Sequence, residues 1–387
     1  MEPIYTAEQL AEVKAYHQPR YTVSFIDFIV TPIVLALMVR FATRPLWRVS
    51  ERIGAKIGAS SLALLKVPTK LWNGTGWAAA LLFALLFFGL YTLLDLPADI
   101  WFGYFHEHSH GLSRATPAVF IVDMLKGKLL FAGAVGSLVF GLFGLARRTT
   151  HWWWLLGVTA SVLMLVSTAI DPYRNRLYVE QTPLAAGVLR ERITALMTKA
   201  GIDFRDVMVE HTASRTVRLQ AYFAGTGPTR TIVLNDSLLA GLSEDEVLAT
   251  VAHEAGHVSE PRWPGRIASS FVLVAFLFAV EWLFRRSAAR HWFGIEERAD
   301  VRTLPIVVLL FTFGLMLGNP ISGAVSRERE YAADRYGIAL TGDVAAFRSM
   351  LVKAARTNKM DPDPPRWAVL RGMSHPPIGE RVEAVGR

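Results

Sequence analysis

Apolar residues gather in six long runs, at 22–42, 77–94, 129–146, 152–170, 268–284 and 303–326, with polar sequence between them. A helix needs ~20 mostly apolar residues to cross the hydrocarbon of a bilayer. Each run therefore predicts a membrane span. The run 22–42 carries Asp27 and Pro32, and 268–284 carries Glu281. An acid in such a run either faces a polar cavity, or sits near an interface or pairs with a neighbouring span, and the second is the simpler expectation. The run 152–170 opens on Trp152-Trp153-Trp154, an aromatic cluster of the kind found at membrane interfaces. Segment 44–67 reads differently. Arg44, Arg48, Arg52 and Lys56 recur every fourth position and share one helical face, which predicts an amphipathic helix lying at the interface.

Two polar stretches remain, 171–265 and 327–387. In the first, 186–200 has helical periodicity and Gly201 follows as a C-cap. Alternating β-branched and aromatic residues at Val207–Glu210, Ala221–Ala224 and Thr231–Leu234 predict short strands, with Gly225-Thr226-Gly227-Pro228 as the turn between the last two. Ser243-Glu244-Asp245-Glu246 is a capping box that opens a further helix. At the start of the chain, Thr6-Ala7-Glu8-Gln9 is another and predicts a short surface helix. Residues Met1–Arg20 are polar and lack a signal-peptide pattern. The expected organisation is a membrane region with four spans (1–170), a polar region with a small sheet and the Ser243 helix (171–265), two further spans (266–326) and a helical C-terminal region (327–387). The fold class is mainly α, polytopic and membrane-embedded.

Composition agrees. The 387 residues are 52% hydrophobic and 19% charged, against ~45–50% and ~25% for ordinary soluble chains. The absence of cysteine excludes disulfides, thiolate metal sites and cysteine nucleophiles. The net charge of +8 sits beside apolar runs, as at Arg147-Arg148 and Arg285-Arg286, and no nucleic-acid recognition motif accompanies it. Between the first two runs, Arg44, Arg48, Arg52, Lys56, Lys66 and Lys70 face a lone acid, Glu51, and the positive-inside rule places this region in the cytoplasm.

The Ser243 helix carries His253-Glu254-Ala255-Gly256-His257. Histidines four apart share a helical face and can hold one zinc ion. Glu254 stands about 100° around the helix, where its carboxylate can take a proton from water without filling a ligand position. A catalytic zinc needs a third protein ligand. Glu330, in Glu330-Tyr331-Ala332-Ala333-Asp334, is the candidate, and Asp334 on the same face can accept a hydrogen bond from a ligand histidine.

His253–His257 followed by Glu330–Asp334 resembles a gluzincin, and more narrowly the integral-membrane type I CAAX prenyl endopeptidases. The resemblance extends over most of the chain, through Ala11–His17, Glu107–Thr116 with Asp123 and Lys126, Gln220–Tyr222, Ile232–Leu239 and Ser374–Pro377. It implies one zinc per chain on His253, His257 and Glu330. Glu254 would be general base and then proton donor, Asp334 the partner of His253, and His375 and Arg381 the groups that steady the tetrahedral intermediate. Gln220, Ala221 and Tyr222 would form a strand edge that pairs with substrate. The family usually has Asn at the position of Gln220, and is described with seven spans forming a helical barrel around a hydrated chamber. The implied activity is endoproteolysis of prenylated CAAX-type or other membrane-associated peptides, in a bacterial inner membrane or endoplasmic reticulum. The rival readings are a non-catalytic membrane chaperone or scaffold and a metal-binding transporter.

Overall fold

The fold is that of a computed structural model, which describes residues 3–65, 76–174, 179–261, 263–291, 295, 297 and 299–385. Its first element starts at the Thr6 cap: Gln9 N–H donates to Thr6 Oγ1 at 3.2 Å and Thr6 N–H to Gln9 Oε1 at 3.0 Å. The cap opens a much longer helix than a short surface element. Helix α1 (Ala7–Leu37) carries Pro19 and Pro32 within it and continues through a π-turn, Met38–Ala42, into α2 (Thr43–Leu65). Helical periodicity simply runs on into the apolar sequence, and membrane helices tolerate internal proline. Helix α2 packs against α3 (Gly76–Ile100), where a Cβ on Gly54 would stand 2.5 Å from the Ala79 nitrogen. Lys66 and Lys70 lie outside the described residues.

A second π-turn leads from α3 into α4 (His106–Ser109). Then follow α5 (Pro117–Leu138), α6 (Gly144–Arg148) and α7 (Trp152–Arg174). Beyond the sheet region come α8 (Val188–Lys199), α9 (Asp236–Gly241), α10 (Glu244–Ser259), α11 (Trp263–Ala289) and α12 (Leu304–Thr341). The chain ends in α13 (Val344–Asn358), α14 (Arg366–Leu370) and α15 (Ile378–Val385). Among the described residues, five helical stretches are long and apolar enough to cross a membrane: Ala7–Lys56, Gly76–Ser109, Pro117–Arg148, Trp263–Ala289 and Val301–Thr341. A shorter apolar stretch, Trp152–Leu163, begins α7. Leu129, Phe271 and Leu317 on these helices are 73%, 72% and 76% exposed. Large apolar side chains left that open are stable facing lipid.

The membrane helices share a core of Phe83, Val135, Phe143, Trp152 and Phe284. Trp152 stacks on Phe284 at 5.6 Å, and its indole N–H donates to buried Glu281 at 2.6 Å. Arg285 Nε donates to the other Glu281 oxygen at 2.6 Å. Glu281 is thus a paired acid joining α11 to α7, as the simpler expectation has it, while Asp27 lies on an exposed face of α1.

The polar region builds a four-stranded sheet in the order β1-β2-β4-β3. Strands β2 (Asp206–Glu210), β3 (Ala221–Ala224) and β4 (Thr231–Asn235) fall where the sequence predicts them. Strand β1 (Gln181–Pro183) is three residues long and gives no periodic signal. β2 and β4 are parallel; β3 and β4 form an antiparallel hairpin that turns at Gly225, with φ of +80°. One core beneath the sheet joins β2, β4, α8, α10, α13 and α15, and takes in Tyr5 and Val13 from the start of the chain.

Candidate active site

Two helices carry the site, and glycine lets them meet. A Cβ on Gly256 of α10 would lie 2.7 Å from the Ala333 Cα of α12, and one on Gly337 would lie 3.0 Å from the His253 nitrogen. No larger residue fits at that backbone separation. The approach brings Glu330 between the two histidines of α10. Its Oε1 lies 3.3 Å from His257 Nε2 and its Oε2 3.6 Å from His253 Nε2. One donor atom from each of His253, His257 and Glu330 lies within 4.8 Å of the others.

These residues fit a metal ion. Glu330 Oε2 is buried without a hydrogen bond, an arrangement that is costly unless a cation satisfies it. Two imidazoles and one carboxylate are the donor set of a zinc-type hydrolytic site with an open position.

The surrounding groups hold the ligands in place. His253 Nδ1 lies 2.9 Å from Asp334 Oδ1, outside full hydrogen-bond alignment. Arg381, from α15, clamps Asp334 with both prongs of its guanidinium: Nε donates to Oδ2 at 2.8 Å and Nη2 to Oδ1 at 2.6 Å. Its third nitrogen, Nη1, turns to Glu330 Oε2 at 3.3 Å. Burial works against the Arg381 charge, but Asp334 and Glu330 outweigh it and hold the guanidinium firmly protonated. His375 Nε2 lies 3.4 Å from Glu330 Oε1 and its side chain is 57% exposed, so it faces the cleft. The protein wall of the cleft takes some water from the ring and, with Arg381 nearby, lowers the His375 pKa despite the opposing Glu330. Glu254 borders the same cavity, and its pKa is raised by burial, with Glu330 adding to the shift and His253, His257 and Arg381 opposing it.

The cavity has a volume of about 550 Å³. Gln220, Ala221 and Tyr222 border it together with His253, Glu254, Glu330, His375 and Arg381, so every site residue singled out in the sequence except His257 and Asp334 reaches one space. Those two stand behind it, against Glu330 and His253. Leu242, Met350 and Leu351 make part of its wall apolar.

One acid escapes the sequence reading. Glu260 Oε1 lies 3.4 Å from His257 Nδ1, and Glu260 also pairs with Arg329. It stands to His257 much as Asp334 stands to His253. The signal is its i+3 spacing from His257 at the helix C-cap, which is weak because a helix there could equally have ended.

Fold and site together define a membrane-embedded metalloendopeptidase of the two-histidine, one-glutamate kind. Residues 183–387 match the model of Peptidase family M48, and residues 1–174 match "CAAX prenyl protease N-terminal, five membrane helices". An uncharacterized metalloprotease, YhfN, of Bacillus subtilis is 32% identical over 301 residues, covering 76% of this chain and 70% of that protein. CAAX prenyl protease 1 of Saccharomyces cerevisiae is 27% identical over 350 residues, covering 84% and 76%. The crystal structure of S. mikatae Ste24p superposes with a TM-score of 0.76 at 20% identity, over 100% of this chain and 91% of that one, and so shares the fold. The chain belongs to peptidase family M48 and is a multi-pass integral-membrane metalloprotease of the inner membrane or endoplasmic reticulum.

Proposed function

We propose that the metal is zinc, one per chain, on His253, His257 and Glu330, and that the substrates are membrane-associated peptides, foremost prenylated CAAX-type C-termini. The observation that carries this reading is the single cavity in which three ligand side chains, a separate carboxylate and a strand edge converge. Two relatives named for CAAX prenyl proteolysis, from yeast and rice, support the substrate class.

In this reading a bound zinc ion supplies Lewis acidity to the scissile carbonyl and to water. The chain's own residues do the rest. Substrate backbone lies along the outer edge of β3, as an added strand. Glu254 takes the proton of the attacking water and delivers it to the leaving amine, and burial raises its pKa in the direction that favours accepting a proton. His375, open to the cleft, donates to the oxygen that gains charge in the tetrahedral intermediate. Arg381 serves mainly by holding Asp334 and Glu330, because two of its nitrogens are already committed to Asp334. Residues 171–265 and 327–387 thus supply the two halves of the site across the pair of spans between them.

Elemental analysis of detergent-purified protein tests the metal: about one zinc per chain is expected. Hydrolysis of an S-farnesylated CAAX peptide, compared with its unprenylated twin, tests the substrate class. In the same assay Glu254→Gln should keep zinc and lose roughly 10²–10⁴-fold in kcat. Zinc-loaded Glu254→Gln that still turns over at the wild-type rate removes Glu254 as the base.

A further inference from the structure

Two motifs stand outside the roles above: Ala11–His17 and Glu107–Thr116. The structure brings both to the residues just before β3. Tyr16 donates its hydroxyl to Glu107 Oε1 at 2.6 Å. Arg218 Nη2 donates to Glu107 Oε2 at 2.9 Å and to the Tyr16 oxygen at 2.8 Å, and Arg20 pairs with the same carboxylate. From this anchor Arg218 Nη1 reaches the Asn358 carbonyl at 3.2 Å. His17 is bonded to the carbonyl of Lys359, the next residue, at 2.7 Å. The last residue of α13 is therefore fixed from two sides by α1 and α4.

What Asn358 does there is specific. Its Oδ1 accepts the Leu219 N–H at 2.8 Å, and its Nδ2 donates to the Leu219 carbonyl at 3.1 Å. The side-chain amide thus faces Leu219 as the backbone of a neighbouring strand would. The hairpin register fixes the direction. Asn235 N–H donates to the Gln220 carbonyl at 3.0 Å, so Gln220 and Tyr222 turn their backbone groups to β4. Alternation then turns Leu219, Ala221 and Phe223 to the outer edge. Among the described residues no strand pairs with that edge. Asn358 fills its first position, and Ala221 is the first one left for an incoming chain.

We propose that Asn358, locked by Arg218, Glu107 and Tyr16, is the end stop of the substrate edge. It is a positioning residue that denies Leu219 to the bound peptide and so sets which peptide bond comes to rest beside Glu254. This rests on the reading of β3 as the edge that pairs with substrate. A strand that slips while keeping its faces must move by two residues, because a one-residue slip turns every side chain over. Opening the Leu219 position therefore offers the peptide a second register, displaced by two residues.

The test is the product pattern of zinc-loaded, full-length protein on S-farnesylated peptides whose C-terminal tails are lengthened one residue at a time. Products are identified by mass spectrometry. The wild type should give one cut. Asn358→Ala should add a second cut displaced by two residues, at unchanged zinc content. Asn358→Asp keeps the acceptor for the Leu219 N–H but sets a carboxylate oxygen against the Leu219 carbonyl, so it should give a smaller share of the displaced cut than Asn358→Ala. Unfolding temperatures of both variants check that they fold, and the absence of a displaced cut from whichever variant folds overturns the end stop. A wild-type chain that holds zinc yet cuts none of these peptides sinks the prenylated-substrate reading, and the stop with it. A wild type that cuts, with Asn358→Ala giving the same products, sinks the stop alone.

Discussion

Arg381 shows how much of the site depends on side chains that hold other side chains in place. It bonds Asp334 twice and reaches Glu330, so it orients the partner of one ligand and the carboxylate of another. Removing it leaves Asp334 buried with an uncompensated charge. Arg381→Ala should therefore cost about 10–100-fold in zinc affinity, read by titration against a competing chelator, with kcat per bound zinc far less affected. A variant that binds zinc normally but has lost turnover would move Arg381 to the intermediate itself. At this scale the sequence was most legible where chemistry imposes a spacing. His253 and His257, and Glu330 and Asp334, are each four apart because one helical face must serve one ion. Asn358 and Arg218 carry no such mark, since their partners are set by tertiary contact: Asn358 meets Leu219 across 139 positions.

The helices α10 and α12 approach at backbone contact, and that distance is part of the ligand geometry. Gly256→Leu should overpack the contact at a cost of about 1–3 kcal/mol. It should also lower zinc occupancy, because moving α12 outward carries Glu330 from the histidines; full occupancy at reduced stability would show that the helices relax without changing the site. The other end of α10 predicts a pH dependence. Burial pushes the Glu246 pKa up, but Lys353, Ser349 and the Ser243 backbone outweigh it and hold it below the ordinary glutamate range. A depressed folded pKa gives stability that is present above the unfolded value, near ~4.3, and is lost as pH falls below it. Glu246→Gln should flatten that acid limb and cost about 1–3 kcal/mol at neutral pH, measured by thermal unfolding across pH. Element type was readable here from the capping box. Helix α2 was not. Its basic residues at every fourth position mark an amphipathic face, but they do not show that the helix packs along α3.

Across the whole molecule, the membrane helices and the peptidase region keep separate cores, joined by α12, which gives Val307 to one and Leu340 to the other. The Trp152–Glu281 bond is one tie within the membrane part, and it leaves the site untouched. Trp152→Phe should take the indole donor from one oxygen of buried Glu281 and cost about 1–3 kcal/mol with zinc content unchanged, a comparison of unfolding temperature and metal stoichiometry. A loss of metal would mean that the two regions are more tightly coupled than their cores suggest. The six apolar runs made the membrane class legible, whereas the way those helices pack was not, because lipid-facing and protein-facing positions are equally apolar.

One contact bears on timing during synthesis. The Tyr5 hydroxyl bonds the carbonyls of Ala355 and Met360 at 2.6 and 2.7 Å, and Tyr5 belongs to the peptidase core. On the ribosome, the first helix emerges long before the turn that receives it, and Arg381 emerges later still. A chain interrupted before that turn has its two histidines and its glutamate but neither the turn that seats Asn358 nor the arginine that holds Asp334. The site thus stays unassembled until the residues from Ala355 to Arg381 have joined the chain.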